Sequence, residues 1–217
     1  MNIIEIAQKR YSTKEFESGR KLSPELMESL KTLLRLSPSS TNIQPWHFII
    51  AQSDAAKSRI AKSTLGFFEF NKSKVLDASA VVIFATRVAA DREYMDHLSD
   101  TEDLDGRFAT AEYKAQNHAG RQAFANIHRY DLKDQQHWFE KQTYLNAGNL
   151  LLGVAALGLD AVPMEGFDAK TLGQEFGLIE QGFTASLIIA IGYHAESDFN
   201  VHIPKSRLAM EEIIEVL

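Results

Sequence analysis

Ser37-Pro38-Ser39-Ser40-Thr41-Asn42-Ile43-Gln44-Pro45-Trp46-His47-Phe48-Ile49-Ile50-Ala51 passes from a helix end, through a polar loop, into a strand. Proline disfavours helical geometry in the residue before it, so Ser37-Pro38 ends the preceding helix. That helix begins at Ser23-Pro24, a capping serine followed by proline at the first helical position. Leu26, Met27, Leu30, Leu33 and Leu34 then recur at helical spacing. Trp46 to Ala51 reads as a strand. The small polar side chains between them can hydrogen-bond the edge of a heteroaromatic ring or line its face. The same composition serves equally well as a capped loop, which two prolines make stiffer than a generic linker.

Working outward, Asn2 with Glu5 forms a capping box that opens a helix to about Arg10. Ser53-Asp54 begins a short helix. Ala80 to Thr86 and Ala185 to Tyr193 are strands rich in apolar residues, and Ala161 to Met164 is a shorter extended piece. The polar region from Asp91 to Gly106 is expected to be a surface excursion with some helix. Thr110 is placed to cap a helix running to about Tyr130. A long helix covers about Asp134 to Leu157 and closes on Gly158. Its half from Ala147 to Leu157 is apolar on nearly every face, which suits a domain centre or a subunit interface. Asp168 to Phe176 reads as a short helix. The tail from His194 ends in Ile213-Ile214 and is poorly equipped to fold alone, so it is expected to pack on a partner. Strands alternating with helices suggest, from pattern alone, a parallel α/β sheet. No repeat, linker or low-complexity stretch divides the chain, so residues 1–217 are expected to form one domain.

Composition narrows the function. The chain has 217 residues, 45% of them hydrophobic, with a formal net charge of −6. An acidic balance disfavours a nucleic-acid surface. The absence of cysteine excludes disulfides, thiol nucleophiles and cysteine-held metals. Seven histidines show no zinc-binding spacing, so no metal is expected. Thr101 to Glu112 has acids at calcium-loop positions, but threonine stands where the first aspartate belongs. The first ten residues lack a signal-peptide pattern and the apolar runs are too short to span a bilayer. A cytoplasmic protein with no membrane partner is expected.

Four further segments carry chemistry, each beside a plainer reading. Arg10-Tyr11-Ser12-Thr13-Lys14 offers two cations and two hydroxyls, suited to a phosphate, and equally suited to a basic helix end and turn. Phe67-Phe68-Glu69-Phe70-Asn71-Lys72-Ser73-Lys74 can stack on and polarise a flat ligand, or anchor aromatics in the core behind a basic edge. Pro163-Met164-Glu165-Gly166-Phe167-Asp168 has a glycine that admits close backbone approach, or simply turns into the next helix. Pro204-Lys205-Ser206-Arg207 alternates cations along an extended stretch, or is a solvated tail. Gly153 and Gly158 resemble a nucleotide loop in spacing only, since no strand precedes them.

Arg10-x-Ser12-x-Lys14, Ser37-Pro38-Ser39-Ser40-x-Asn42-x-Gln44-Pro45-Trp46, Pro163 to Phe167 and Ile203-Pro204-Lys205-Ser206-Arg207, in that order, resemble the FMN-dependent nitroreductase family over essentially the whole chain. The resemblance implies an α+β fold with a mostly antiparallel central sheet wrapped by helices. It implies an intertwined homodimer whose C-terminal extension lies on the partner, with one tightly bound FMN per subunit at the interface. Arg10, Ser12, Lys205 and Arg207 would approach the phosphate and ribityl chain, within cofactor-binding segments that include Tyr11, Thr13 and Ser206, and Pro163 would belong to a further cofactor-binding segment. Lys14, Lys74 and Asn71 would lie along the pyrimidine edge, with Pro38, Ser39, Ser40 and Asn42 coming from the other subunit. Glu165 and Gly166 would sit beside the ring. Thr41, Phe68, Phe70 and Phe124 would border the substrate channel, and Arg107 would meet the nicotinamide nucleotide. Tyr11 stands where some members have His, Phe68 where others have Tyr, and Ile43 where a small polar residue is common.

The implied reaction is ping-pong, two-electron reduction of nitroaromatics, quinones, free flavin or dihydropteridine by NADH or NADPH. Lys14, Lys74 and Glu165 supply electrostatic support and no side chain acts as nucleophile or assigned acid–base group. A dedicated flavin reductase, a flavin-binding protein without turnover and a calcium-dependent module are the alternatives.

Overall fold

The computed structural model describes residues 2–217. Its helices are α1 (Ile3–Lys9), α2 (Pro24–Arg35), α3 (Asp54–Ala61), α4 (Lys72–Asp77), α5 (Arg92–Leu104), α6 (Ala111–Asn126), α7 (Gln135–Ala156), α8 (Ala169–Phe176) and α9 (Met210–Ile213). Its strands are β1 (Trp46–Ala51), β2 (Ala80–Arg87), β3 (Asp160–Met164) and β4 (Phe183–Gly192). The capping signals operate as read. The Ile4 amide donates to Asn2 Oδ1 at 3.0 Å while the Asn2 amide donates to Glu5. Ser23 accepts from the Leu26 amide at the head of α2.

The strands form one sheet in the order β1-β2-β4-β3, and every neighbouring pair is antiparallel. The parallel arrangement suggested by the alternation of elements is therefore wrong, and the α+β arrangement holds. The physical reason lies in the connections. The chain leaves β1 at Ala51 and enters β2 opposite it, where Ala51 faces Val81. α3 and α4 thus return the chain to the end of the sheet it left, whereas a parallel pair needs a crossover. The apolar runs misled because β2 and β4 are central and covered on both faces, as parallel strands usually are.

One face, with Val81, Ile83, Ile188 and Ala190, packs on α3, α4 and α8. The other, with Val82, Phe84, Leu187 and Ile189, packs on α2 and α7. Burying such side chains is worth roughly 1.5–3 kcal/mol each. A third cluster joins Ile43, Met95, Leu98, Ala125, Trp138 and Phe139, so the loop before β1 is seated on α5, α6 and α7.

The excursion from Asp91 to Gly106 is a regular helix, capped by Asp91, that buries Met95 and Leu98. α6 continues past Asn126 as a π turn, Ile127–Asp131. The calcium-loop alternative meets the last turn of α5 instead: Thr101–Leu104 is helical, and Lys114 Nζ holds both Asp100 and Asp103 at 2.9 Å. The buried residues of α7 include Trp138, Asn146, Leu150 and Val154, whereas Tyr144, Leu145, Gly148 and Asn149 form an open stripe. From Val201 onward every residue is exposed. Among the described residues no helix is long and apolar enough to cross a membrane.

Candidate functional site

Beyond α1 the chain runs beside the edge strand β3, where Ser12 makes a parallel bridge to Ala161 and the Thr13 amide donates to the Ala161 carbonyl at 3.2 Å. After β4 the tail returns to this segment. Buried Asp198 joins the two: its Oδ2 accepts from the Tyr11 hydroxyl and from the Lys14 amide, each at 3.2 Å. The Asn200 side chain donates to the Ser12 carbonyl at 2.7 Å. Arg10, Tyr11 and Ser12 consequently face Lys205, Ser206 and Arg207 across a cavity of about 650 Å³. The Lys205 ammonium donates to the Ala7 carbonyl at 2.6 Å and to that of Arg10. Burial, then the charges of Arg10 and Arg207, hold its pKa below the ordinary lysine range. Burial, then Asp160 and Asp198, push the Tyr11 phenol up, so it stays a neutral donor.

A second group forms where α4 meets the turn after β3. Buried Asn71 donates through Nδ2 to the Gly166 carbonyl at 3.0 Å and accepts from Lys74 Nζ at 3.0 Å. Lys74 also donates to the Phe70 carbonyl. A Cβ on Gly166 would lie 2.7 Å from Asn71 Nδ2 and 3.2 and 3.3 Å from the Phe70 and Phe68 rings, so a side chain there would displace Asn71 from its bond to the Gly166 carbonyl. Burial, then the charge of Lys14, lowers the Lys74 pKa. Glu165 accepts from the Tyr144 hydroxyl at 2.6 Å, and that hydroxyl lies 3.2 Å from the Ser186 carbonyl. Burial, then Glu165, raise the Tyr144 pKa. Among the described residues none of Arg10, Lys14, Lys74, Lys205 and Arg207 pairs with a carboxylate.

The loop between α2 and β1 is strained. Thr41, Asn42 and Gln44 have φ of 49°, 54° and 43°, a left-handed geometry that costs a non-glycine residue about 1–3 kcal/mol. Surrounding contacts hold it. The Ser40 amide donates to Gln142 Oε1 at 2.8 Å, and the Gln44 amide to Ser39 Oγ at 2.9 Å. Asn42 Nδ2 donates to Glu102 Oε1 at 2.7 Å, and Arg121 Nε to the Thr41 carbonyl at 2.9 Å. Pro38, Ser39, Thr41, Asn42, Arg107 and Phe124 border a cavity of about 610 Å³. It shares no lining residue with the Arg10–Arg207 cavity.

The model of the nitroreductase family matches residues 7–193. The chain belongs to the nitroreductase family. This family member is 54% identical over 214 residues, 99% of each chain, to the oxygen-insensitive NAD(P)H nitroreductase of Enterobacter cloacae. It is 35% identical to the major NAD(P)H-flavin oxidoreductase of Aliivibrio fischeri, over 99% of this chain and 98% of that one. Its fold matches a protein of Exiguobacterium sibiricum solved in complex with FMN, with a TM-score of 0.82 at 24% identity, over 100% and 98% of the two chains.

The nitroreductase fold thus gathers the residues singled out from sequence into two sets within one chain. Arg10 to Ser12 meets Lys205 to Arg207 across one cavity, while Phe68, Phe70, Asn71 and Lys74 gather at Gly166, with the charge of Lys14 felt at Lys74. Pro38 to Asn42 lies apart with Arg107 and Phe124. Thr13 is fully buried and does not line the cavity beside it, and Pro163 pairs with Ile189 inside β3. The plainer reading of the aromatic run as core fails, because Phe67 and Phe70 are 85% and 61% exposed. Sequence reasoning missed Tyr144, Asp198, Glu102 and Arg121. Each gains its role from a contact 19 or more residues away in the chain. Only a charged residue at a helix position that must be buried, as for Arg121, offered a signal.

Proposed function

We propose that this chain is an FMN-dependent oxidoreductase that takes electrons from NADH or NADPH and reduces nitroaromatics and quinones two electrons at a time in ping-pong order. The observation that carries the reading is the set of five cations without carboxylate partners on a chain of net charge −6. Three converge on one cavity, where burial and then the charges of Arg10 and Arg207 lower the Lys205 pKa. Such a cavity fits a phosphate, which guanidinium forks and a hydroxyl recognise. The remaining two, with Asn71 and the bare Gly166 backbone, fit the polar edge and face of a flat heteroaromatic ring.

On this reading Arg10, Ser12, Lys205 and Arg207 hold the phosphate. Lys14 and Lys74 face the pyrimidine edge and stabilise negative charge that reduction places there. FMN, when bound, supplies hydride acceptance from the nicotinamide and electron delivery to the acceptor. Phe68, Phe70 and Phe124, with Thr41 and Arg107, shape the opening through which donor and acceptor take turns. Tyr144 keeps Glu165 hydrogen-bonded beside that opening. Free flavin is a further acceptor, supported by the flavin oxidoreductase of Aliivibrio fischeri among the relatives.

The active form is a homodimer in which the Pro38–Asn42 loop of each subunit completes its partner's site. Three features support this: the two separate cavities, the open stripe of α7 and a tail with Ile203, Leu208, Met210, Ile213 and Ile214 all exposed. A visible spectrum of the purified protein, followed by anaerobic NADH and NADPH, tests the proposal. A yellow protein that bleaches with either donor and recovers with nitrofurazone, menadione or free FMN is expected. A colourless protein that takes up no FMN overturns it.

A further inference from the structure

We propose that Arg121, through its buried pair with Glu102, is a positioning residue that holds the left-handed turn at Thr41–Gln44 in the shape the acceptor side of the site requires. The inference rests on the assignment of that loop to the opening that donor and acceptor share. Arg121 is 2% exposed and Glu102 4%. They come from α6 and α5, and Arg121 Nη2 donates to Glu102 Oε2. The pair is spent on the loop as well. Arg121 Nε donates to the Thr41 carbonyl at 2.9 Å, while Glu102 Oε1 accepts from Asn42 Nδ2 at 2.7 Å. A closed ring therefore runs from α6 to the Thr41 backbone, to the Asn42 side chain, to α5 and back to α6.

That ring grips the two consecutive residues with positive φ at the strained point of the loop. A released Thr41 carbonyl is free to flip as its backbone relaxes toward the right-handed or extended region. The guanidinium suits this task because its planar fork serves two acceptors at fixed angles, which an ammonium does not. Stability alone does not account for the pair. Buried ion pairs are commonly matched or surpassed by apolar side chains of similar volume. Here Arg121 Nη1 is also left buried without a partner, a cost that an apolar replacement avoids. Both residues border the cavity that Pro38, Ser39, Thr41 and Phe124 line. The ring consequently couples the loop's shape to the spacing of α5 and α6.

The test uses the FMN-loaded protein. R121M/E102L replaces the ring with apolar side chains and is expected to keep a near wild-type Tm and bound FMN. Its KM for nitrofurazone should rise at least fivefold with kcat within about twofold, and the amide hydrogens of Ile43 and Gln44 should exchange faster. R121K, which keeps the charge but not the double bridge, should fall between. A folded, FMN-loaded R121M/E102L with wild-type KM and wild-type exchange overturns the proposal. If that variant does not fold, E102Q carries the test, since it removes the charge and keeps an oxygen for Asn42; faster exchange at Ile43 and Gln44 supports the brace, and unchanged exchange overturns it. Failure of the wild type to take up FMN would remove the site assignment alone, because the exchange measurement reads the brace directly.

Discussion

At the scale of single residues, the proposed function divides the cations by task. Arg207 faces the cavity shared with Arg10 and Ser12 and has no carboxylate partner. A charge-assisted hydrogen bond is worth about 1.5–3 kcal/mol, so Arg207→Ala should weaken FMN binding roughly 10- to 100-fold, read by fluorescence titration; an unchanged dissociation constant refutes the phosphate role. Lys14→Ala should instead slow flavin reduction by NADH about tenfold in stopped flow while FMN stays bound. Burial and Lys14 both lower the Lys74 pKa. Lys74 therefore loses its proton at a lower pH than an ordinary lysine, and the reduction rate should fall as pH rises toward that range. Removing Lys14 lifts part of the depression, so the alkaline fall should move to higher pH in Lys14→Ala. The cations were plain in the sequence, but each cluster alone read equally as a helix end or a solvated tail, and only the family resemblance suggested a phosphate and a flavin edge. The role of Asp198 was not plain, since nothing in Glu196-Ser197-Asp198 announces that its carboxylate will accept from Tyr11 and from the Lys14 backbone.

At the scale of elements, most helices and strands follow from caps and periodicity to within a few residues, but α4 and α9 were not read and α5 only as an excursion with some helix. The α7 span, the Ser23 cap of α2 and the β1 strand were all readable from local chemistry. What local chemistry did not reveal is strand direction, because a central antiparallel strand covered on both faces carries the same apolar run as a parallel one. Nor did it reveal the backbone of the 38–44 loop. Threonine is a poor choice for positive φ, so its presence there reflects the contacts that hold it. Thr41→Gly should relieve that strain and stabilise the protein by about 1 kcal/mol after glycine's entropic cost, measured by urea unfolding. A destabilised Thr41→Gly variant would show that the turn carries no strain.

At the scale of the whole molecule, the proposed homodimer would cover the exposed apolar residues of the tail and of α7. Deleting residues 203–217 should yield a monomer by sedimentation and abolish FMN retention, since Lys205 and Arg207 leave with the tail. A truncated dimer would contradict the assembly argued above. One further consequence follows from the arm that carries Arg10, Ser12 and Lys14. Through its bridge to Ala161 it shields the outer side of β3, the border strand of the sheet. An unshielded border strand offers free amides and carbonyls on which another chain can grow. With FMN's phosphate held by Arg10 and Ser12 as proposed, the cofactor adds to the hold on this arm, so protein stripped of FMN should scatter light on standing sooner than the loaded form at equal concentration, and restoring FMN should reverse the trend before fibrous or amorphous deposits form.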